Sequence, residues 1–227
     1  MCSRYSLTSP HEAVRAYFRY KSDPVFPPRF NIAPTQPVGI VRIEANGDRD
    51  FALVRWGLIP PWVKDPRTFA TLINARAETA HEKPSFKGAF RHKRCLIPVD
   101  GFYEWTGPAG AKRPHLIRPK RGGLMAFAGL SESWLGADGS EVDTMAILTV
   151  AANATVSVIH DRMPAILSPA QFDAWLDCRN VDVKAASSML RPADDELLEM
   201  IEVDPRLNNS RNEGPDVQRP AAGSRLL

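Results

Sequence analysis

The sequence predicts an α+β protein with a mainly antiparallel β core and helices at its periphery. Many short strand-like runs follow one another, turn-rich segments such as 106–110 and 136–139 separate them, and few stretches have helical spacing. Strands that follow each other through such short turns pair antiparallel. At 227 residues the chain is expected to form one domain, 1–227, in which 221–227 are a loose C-terminal end.

Two segments have clear helix-start signals. The first helix is expected from about Pro10 to Tyr20, with Ser9 as its N-cap. The second begins after Ser168, where Gln171 completes a capping box. Shorter helices are expected over 85–94 and 183–190.

The strongest strand signal is a hairpin. Asn46-Gly47 separates 38–43 from 51–56, and this dipeptide favours a tight turn between paired strands. Residues 21–37 contain five prolines and should be extended and irregular. Residues 197–203 fit either a helix or a strand, and composition alone makes the last 24 residues a polar tail. Further strands are expected over 94–98, 101–106, 113–118, 124–130 and 143–151.

The composition excludes several classes of protein. Hydrophobic residues make up 44% of the chain, which is typical of a globular protein rather than a disordered one. No apolar run approaches the length of a membrane span, and the N-terminus lacks a secretory pattern. The three cysteines, Cys2, Cys95 and Cys178, show no CxxC spacing. We therefore expect a cytoplasmic protein without a disulfide scaffold, metal site or cofactor.

The charge is unevenly distributed along the chain. Residues 1–130 hold 21 Lys and Arg against 10 Asp and Glu, whereas residues 131–227 hold 8 against 16. This asymmetry predicts a basic face for an anion such as nucleic acid, although both signs could instead mix on the folded surface. Arg91 lies in the basic run 83–94, and Trp62 follows two prolines in a loop expected to be exposed. Cations beside aromatic platforms are typical of proteins that bind single-stranded nucleic acid.

Cys2 is the most informative candidate for chemistry. Removal of Met1 would leave a free α-amine beside the thiol, and both groups titrate only one to two pH units above neutrality. Such a 1,2-aminothiol can act as an N-terminal nucleophile, or it can condense with an aldehyde to form a thiazolidine ring. The alternative is an ordinary buried cysteine near a chain end.

Two further motifs contain candidate site residues. In Asn74-Ala-Arg76-Ala-Glu78 the polar residues occupy every second position, so an extended chain would point them to one side. A capped turn with a surface ion pair would explain the same residues. Farther along, His160 could move protons near neutral pH and Arg162 could bind phosphate. An ordinary loop histidine explains His160 equally well.

Glu104 lies in the aromatic run Gly101-Phe-Tyr-Glu-Trp105. Desolvation by its aromatic neighbours would raise the pKa of this carboxyl into a range that suits proton transfer. In a strand that alternates between two faces, the same Glu could instead point to solvent.

Taken together, these segments resemble the SRAP family, the SOS-response-associated peptidases that act on abasic sites in single-stranded DNA. The resemblance extends to about Pro220 and argues against a loose tail before that residue. Ser3 stands where the family usually has glycine. The matching motifs are Met1-Cys2-x-Arg4-Tyr5, Phe30-Asn-Ile-Ala-Pro34, Trp56-Gly-Leu-Ile-Pro-x-Trp62, Ile73-Asn-Ala-Arg-x-Glu78, Arg94-Cys-Leu-Ile-Pro98, Gly101-Phe-Tyr-Glu-Trp105 and Ile159-His-Asp-Arg-Met-Pro164.

The resemblance implies a fold and a role for each candidate residue. The fold would be a twisted, barrel-like, mainly antiparallel β core with flanking helices. Cys2 would bond covalently to the sugar aldehyde of an abasic site, and Asn74 would hold the geometry. Glu104 would assist ring opening and proton transfer, and His160 would be a second acid and base. The implied phosphate contacts are Arg4, Arg76 and Arg162.

Two other functions fit the same sequence. Cys2 could be the nucleophile of a thiol autopeptidase, as the family name suggests, although only Met1 precedes it here. The protein could also be a passive single-strand binder that uses only its basic and aromatic face, which predicts salt-sensitive binding without adducts. The expected partner is single-stranded DNA that contains abasic sites, bound by a monomer.

Overall fold

The computed structural model describes residues 2–221, which contain 13 β-strands and six α-helices. None of these helices is long and apolar enough to cross a membrane. The strands are β1 Tyr5–Leu7, β2 Arg29–Ile32, β3 Pro37–Ile43, β4 Arg49–Trp56, β5 Asn74–Arg76, β6 Arg94–Val99, β7 Gly101–Thr106, β8 Arg113–Pro119, β9 Met125–Leu135, β10 Glu141–Ala151, β11 Arg162–Pro164, β12 Ile166–Leu167 and β13 Leu198–Glu202. The helices are α1 His11–Phe18, α2 Ala77–Ala80, α3 Lys87–His92, α4 Ala154–Ser157, α5 Phe172–Leu176 and α6 Val183–Ser188.

Five strands close into a barrel. They follow the order β10-β4-β3-β6-β9, and β9 returns to pair with β10. Within this ring only the β10–β4 pairing is parallel. Closure removes the open sheet edges on which other chains could pair. The predicted α+β class with a barrel-like, mainly antiparallel core is therefore confirmed.

A second sheet holds the N-terminal strand at its interior. Its order is β13-β8-β7-β1-β2, and all of its pairings are antiparallel. Tyr5 of β1 lies opposite Phe102 of β7 on one side and Ile32 of β2 on the other. Because β1 is hydrogen-bonded on both edges, the residues just before it are fixed in space.

Aromatic side chains join the two sheets. Trp56 is fully buried, and its indole Nε1 donates a hydrogen bond of 3.0 Å to the Ile73 carbonyl. The ring centroid of Trp56 lies 5.1 Å from that of Tyr5, which also contacts Phe127 edge-on. Trp56 therefore belongs to the core, whereas the side chain of Trp62 is 56% exposed, as expected from its loop.

Most predicted elements are present. The hairpin forms with Val38 opposite Val54, and helices occupy the four expected segments. The capping box of Ser168 and Gln171 is intact. The ambiguous segment 197–203 is a strand, β13, because it pairs along β8.

Two local predictions are wrong. The N-cap of α1 is Pro10 rather than Ser9, because the Ser9 hydroxyl donates to the Asp100 carboxylate at 2.6 Å. The extended chain at Asn74 ends with Arg76, so Glu78 lies in α2 and not on the same strand face. At Ser9 a contact from a distant part of the chain decides the local structure.

The compositional prediction of a polar tail from residue 204 is also wrong. The side-chain amide of Asn31 donates to the carbonyls of Leu207, Asn209 and Asn212, at 3.3, 3.1 and 2.8 Å. Two short 3₁₀ helices follow β13, and the Ala221 amide donates to Glu202. The segment 204–221 is therefore packed onto the second sheet, as the family resemblance implied up to Pro220. The rest of the loose end expected at 221–227 lies outside the described residues.

The burial of Trp56 predicts a clear effect on stability. Trp56→Phe should lower the free energy of unfolding by about 2 kcal/mol, because it opens a cavity and removes one of the two hydrogen bonds that the Ile73 carbonyl accepts. Trp62→Phe, a control on the exposed tryptophan, should change it by less than about 0.5 kcal/mol. Urea denaturation of the two variants measures the difference, and equal effects would contradict this account of the core.

Candidate active site

Cys2 lies three residues before the start of β1 and is fully buried. The Asn74 side-chain amide donates to the Cys2 carbonyl at 2.8 Å, and the Cys2 thiol donates to the Arg4 carbonyl at 3.6 Å. Asn74 is the first residue of β5, which pairs in parallel with β10 of the barrel. Position 2 is therefore held by the second sheet on one side and by a strand of the barrel sheet on the other.

Glu104 reaches the same place from β7. The Tyr103 amide donates to the Arg4 carbonyl at 3.0 Å, which continues the pairing of β1 with β7 toward the N-terminus. In this antiparallel register Glu104 comes beside Ser3. Its side chain is buried, with the residue only 6% exposed. The alternative of a solvent-facing Glu104 is therefore wrong.

His160 lies in the turn between α4 and β11, at the end of β10. Its Nδ1 accepts a hydrogen bond of 2.9 Å from the Arg162 backbone amide. The carboxylate of Asp161 lies 3.0 Å from the same nitrogen, but this residue's side chain is 84% exposed.

Three of the candidate residues, Arg4, Glu104 and His160, line one cleft of about 680 Å³. The sequence analysis did not identify several of the residues that line this cleft. Trp105 Nε1 donates to Asn208 Oδ1 at 2.7 Å, and Asn208 Nδ2 donates to the Lys112 carbonyl at 3.0 Å. Trp105 belongs to the same motif as Glu104 and could have been found there, whereas Lys112 carries no signal in the sequence. The lining residues are Ser3, Arg4, Glu104, Trp105, Gly110, Lys112, His160 and Asn208.

Burial shifts the pKa values of the two central groups. Burial raises the pKa of Glu104 above its ordinary value of 4.5, and the charge of His160 opposes this rise. Burial also raises the pKa of the Cys2 thiol, and the Glu104 charge adds to the rise. The thiol therefore stays protonated at neutral pH and needs a neighbouring base before it can react.

Arg4 contributes positive charge to the cleft but is also part of the framework. Its Nη1 donates to Asn31 Oδ1 at 2.6 Å and to the Leu207 carbonyl at 3.1 Å. Its guanidinium lies over the Trp105 ring, 5.6 Å from the ring centre. These contacts fix the guanidinium at the wall of the cleft.

The other candidate DNA contacts are spread over the surface. Arg76 is exposed at the end of β5, two residues from Asn74. Arg162 forms a bidentate ion pair with Glu78 at 2.6 and 2.8 Å. Trp62 packs edge-on against Phe69 and is not a lining residue of the cleft. Arg91 lies on α3 and lines a different groove.

The fold and site define a barrel-based protein whose candidate nucleophile is a cysteine at position 2. A thiol, an amide, a carboxyl and an imidazole meet beside a cleft that also receives arginine and lysine. The chain belongs to the SRAP family, because the family model described as SOS response associated peptidase (SRAP) matches residues 1–210.

Comparisons with individual proteins agree with this family assignment. The chain is 37% identical over 221 residues to the abasic site processing protein YoqW of Bacillus subtilis (strain 168), covering 96% of this chain and 98% of that protein. It is 34% identical to the abasic site processing protein HMCES of Gallus gallus, over 85% of this chain and 66% of that protein. A crystal structure of a Bacteroides thetaiotaomicron protein superposes with a TM-score of 0.85 at 27% identity, covering 97% of this chain and all of that one.

The raised pKa of Glu104 predicts a pH-dependent stability. Between the ordinary pKa of an unfolded Glu and the raised native pKa, the native state binds more protons than the unfolded state. The free energy of unfolding contributed by this group therefore falls as pH rises through that window. Glu104→Gln should remove this fall. The stability of the variant, compared with that of the unmodified protein, should therefore be higher at pH 8 than at pH 4. Denaturation at several pH values measures the slope, and an unchanged slope in the variant would contradict the assignment.

Proposed function

We propose that the protein recognises abasic sites in single-stranded DNA and bonds to them covalently through Cys2. The observation that carries the proposal is the arrangement around position 2. The Cys2 carbonyl is fixed by Asn74, while Glu104 and His160 line the cleft beside it. The names of the relatives YoqW and HMCES, which are abasic site processing proteins, support the same substrate.

The chemistry requires the α-amine of Cys2, which removal of Met1 would release. An abasic sugar is mostly a closed hemiacetal, so an acid and a base must first open it to the aldehyde. The amine then adds to the aldehyde carbon, and loss of one water gives an imine. The thiol adds to the imine carbon, its proton passes to the nitrogen, and a five-membered thiazolidine results. Holding amine, thiol and sugar together makes these steps intramolecular.

Glu104 and His160 are placed to move the protons. A carboxyl whose pKa is raised by burial can donate a proton during ring opening and water loss, and accept one when the thiol adds. His160, in the same cleft, is a second proton donor and acceptor. This pairing explains how a thiol with a raised pKa can still react.

Asn74 orients the N-terminal residue. With its Nδ2 bound to the Cys2 carbonyl, its Oδ1 is buried and has no hydrogen-bond partner within residues 2–221. A buried acceptor of this kind favours a donor. The Cys2 α-amine or a sugar hydroxyl would satisfy it and would then be held beside the thiol.

The covalent product would protect the DNA strand. Strand cleavage at an abasic site proceeds by β-elimination, which needs the free aldehyde to acidify the neighbouring C–H bond. The thiazolidine removes that aldehyde. The cleft cations, together with Arg76, Trp62 and Arg91, are the proposed contacts for the flanking phosphates and bases, whereas Arg162 is paired with Glu78.

The central test is adduct formation with a single-stranded oligonucleotide that contains one abasic site. A denaturing gel should show a shifted band, with the mass of the protein without Met1 plus the DNA minus one water. Cys2→Ala should abolish the band, whereas the matched control Cys178→Ala should retain it. The same oligonucleotide without the abasic site should give no band. Adduct formation by Cys2→Ala equal to the unmodified protein would reject the proposal.

The family description keeps a second function open, a thiol peptidase that uses Cys2. A short N-terminal extension placed before Cys2 separates the possibilities. Self-cleavage that disappears in Cys2→Ala favours the peptidase, whereas salt-sensitive binding without any adduct favours a passive single-strand binder.

Arg76 provides a prediction about binding. Arg76→Ala should weaken non-covalent binding of single-stranded DNA several-fold and reduce the salt slope by about one, because one phosphate contact is lost. Arg121→Ala, which removes an exposed arginine outside the cleft, is the control and should have little effect. The Cys2→Ala background allows binding to be measured without adducts. Equal effects of the two substitutions would show that only general charge matters.

A further inference from the structure

The ion pair between Glu78 and Arg162 joins two elements that carry candidate catalytic groups. Glu78 is the second residue of α2, which directly follows the strand that begins with Asn74. Arg162 begins β11, two residues after His160. Strands β5 and β11 flank the same part of β10, where Thr149 lies opposite both Arg76 and Pro164. The ion pair therefore crosses the end of β10 between these strands.

Protein groups engage both terminal nitrogens of the Arg162 guanidinium, whereas its Nε is buried without a hydrogen-bond partner within residues 2–221. Nη1 and Nη2 donate to the two carboxylate oxygens of Glu78, and Nη2 also donates to the Thr149 carbonyl. The Arg162 side chain is only 12% exposed, while that of Glu78 is 53% exposed. A phosphate could reach this guanidinium only by displacing Glu78. Bidentate pairs of this geometry fix orientation as well as charge.

The Arg162 backbone is the part that contacts a candidate catalytic group. Its amide donates to His160 Nδ1, and a nitrogen that accepts a hydrogen bond cannot itself carry the proton of a neutral imidazole. The proton is then on Nε2. Asp161 would favour the opposite tautomer, but its carboxylate is mostly in solvent and pairs weakly.

We propose that Glu78 is a positioning residue that acts through Arg162 to hold neutral His160 in the Nε2-protonated tautomer. The catalytic consequence of this inference rests on the proposed function. With the proton on Nε2, His160 would offer an N–H group rather than a lone pair to the sugar or to Glu104. Glu78 touches neither DNA nor Cys2 in this assignment. It fixes the backbone amide that selects the tautomer.

Glu78→Gln tests the proposal, because it keeps the size of the side chain and removes its charge. Glu82→Gln is the matched control. It removes the same charge from an exposed side chain that lies four residues after Glu78. The nitrogen chemical shifts of His160, measured by NMR without DNA at a pH where the ring is neutral, report the tautomer. We expect the Nε2-protonated form to lose its dominance in Glu78→Gln and to persist in Glu82→Gln. Glu78→Asp, which keeps the carboxylate, should restore part of it.

Two DNA measurements accompany the NMR experiment. Adduct formation at saturating abasic DNA should slow about 10-fold in Glu78→Gln, because a catalytic group is misplaced. Non-covalent affinity in the Cys2→Ala background should stay within about twofold. Tighter DNA binding by Glu78→Gln with an unchanged tautomer would make Arg162 a phosphate ligand restrained by Glu78 and would overturn the proposal. An unchanged tautomer with unchanged affinity would overturn it as well. If the unmodified protein forms no adduct, the proposed function fails, and the NMR result still decides the role of Glu78.

Discussion

The pairing of β1 between β2 and β7 is the constraint on which the candidate site depends. Chain ends are usually poorly ordered unless secondary structure holds them. Here the first strand lies inside a sheet, so the residue before it has a defined position against the barrel. Asn74 then needs only one hydrogen bond, to the Cys2 carbonyl, to connect that residue with β10. A cysteine at position 2 becomes part of a precise site because both sheets converge on it.

Burial raises two pKa values in this site, with opposite effects on the proposed reaction. The same desolvation raises the pKa values of Glu104 and of the Cys2 thiol. A carboxyl with a raised pKa suits proton transfer near neutrality, but a protonated thiol is a poor nucleophile. The two shifts are compatible if the amine reacts first and the thiol loses its proton only when the imine carbon is already beside it. Electrostatics and order of bond formation are therefore linked in this cleft.

The sequence predicted the elements whose signals are local. The Asn46-Gly47 hairpin and the capping box at Ser168 depend on neighbouring residues. It failed at Ser9 and over the segment from residue 204, where a distant Asp100 carboxylate and the Asn31 amide supply the deciding contacts. The motifs identified Cys2, Asn74, Glu104 and His160 as candidates. The burial of these side chains and the tautomer of His160 depend on tertiary packing, which no motif contains. The ion pair of Arg162 with Glu78 likewise depends on tertiary packing.

Anchoring of the C-terminal segment beside the N-terminal cysteine has a consequence for biosynthesis. Arg4 and Asn31 both bind the Leu207 carbonyl, and Asn208 forms a wall of the cleft. During translation these residues emerge long after Cys2, because they lie far later in the chain. A nascent chain therefore carries Cys2 long before it carries a complete cleft. The cleft beside Cys2 is completed only when the segment that contains Leu207 and Asn208 has been synthesised and has packed onto the second sheet.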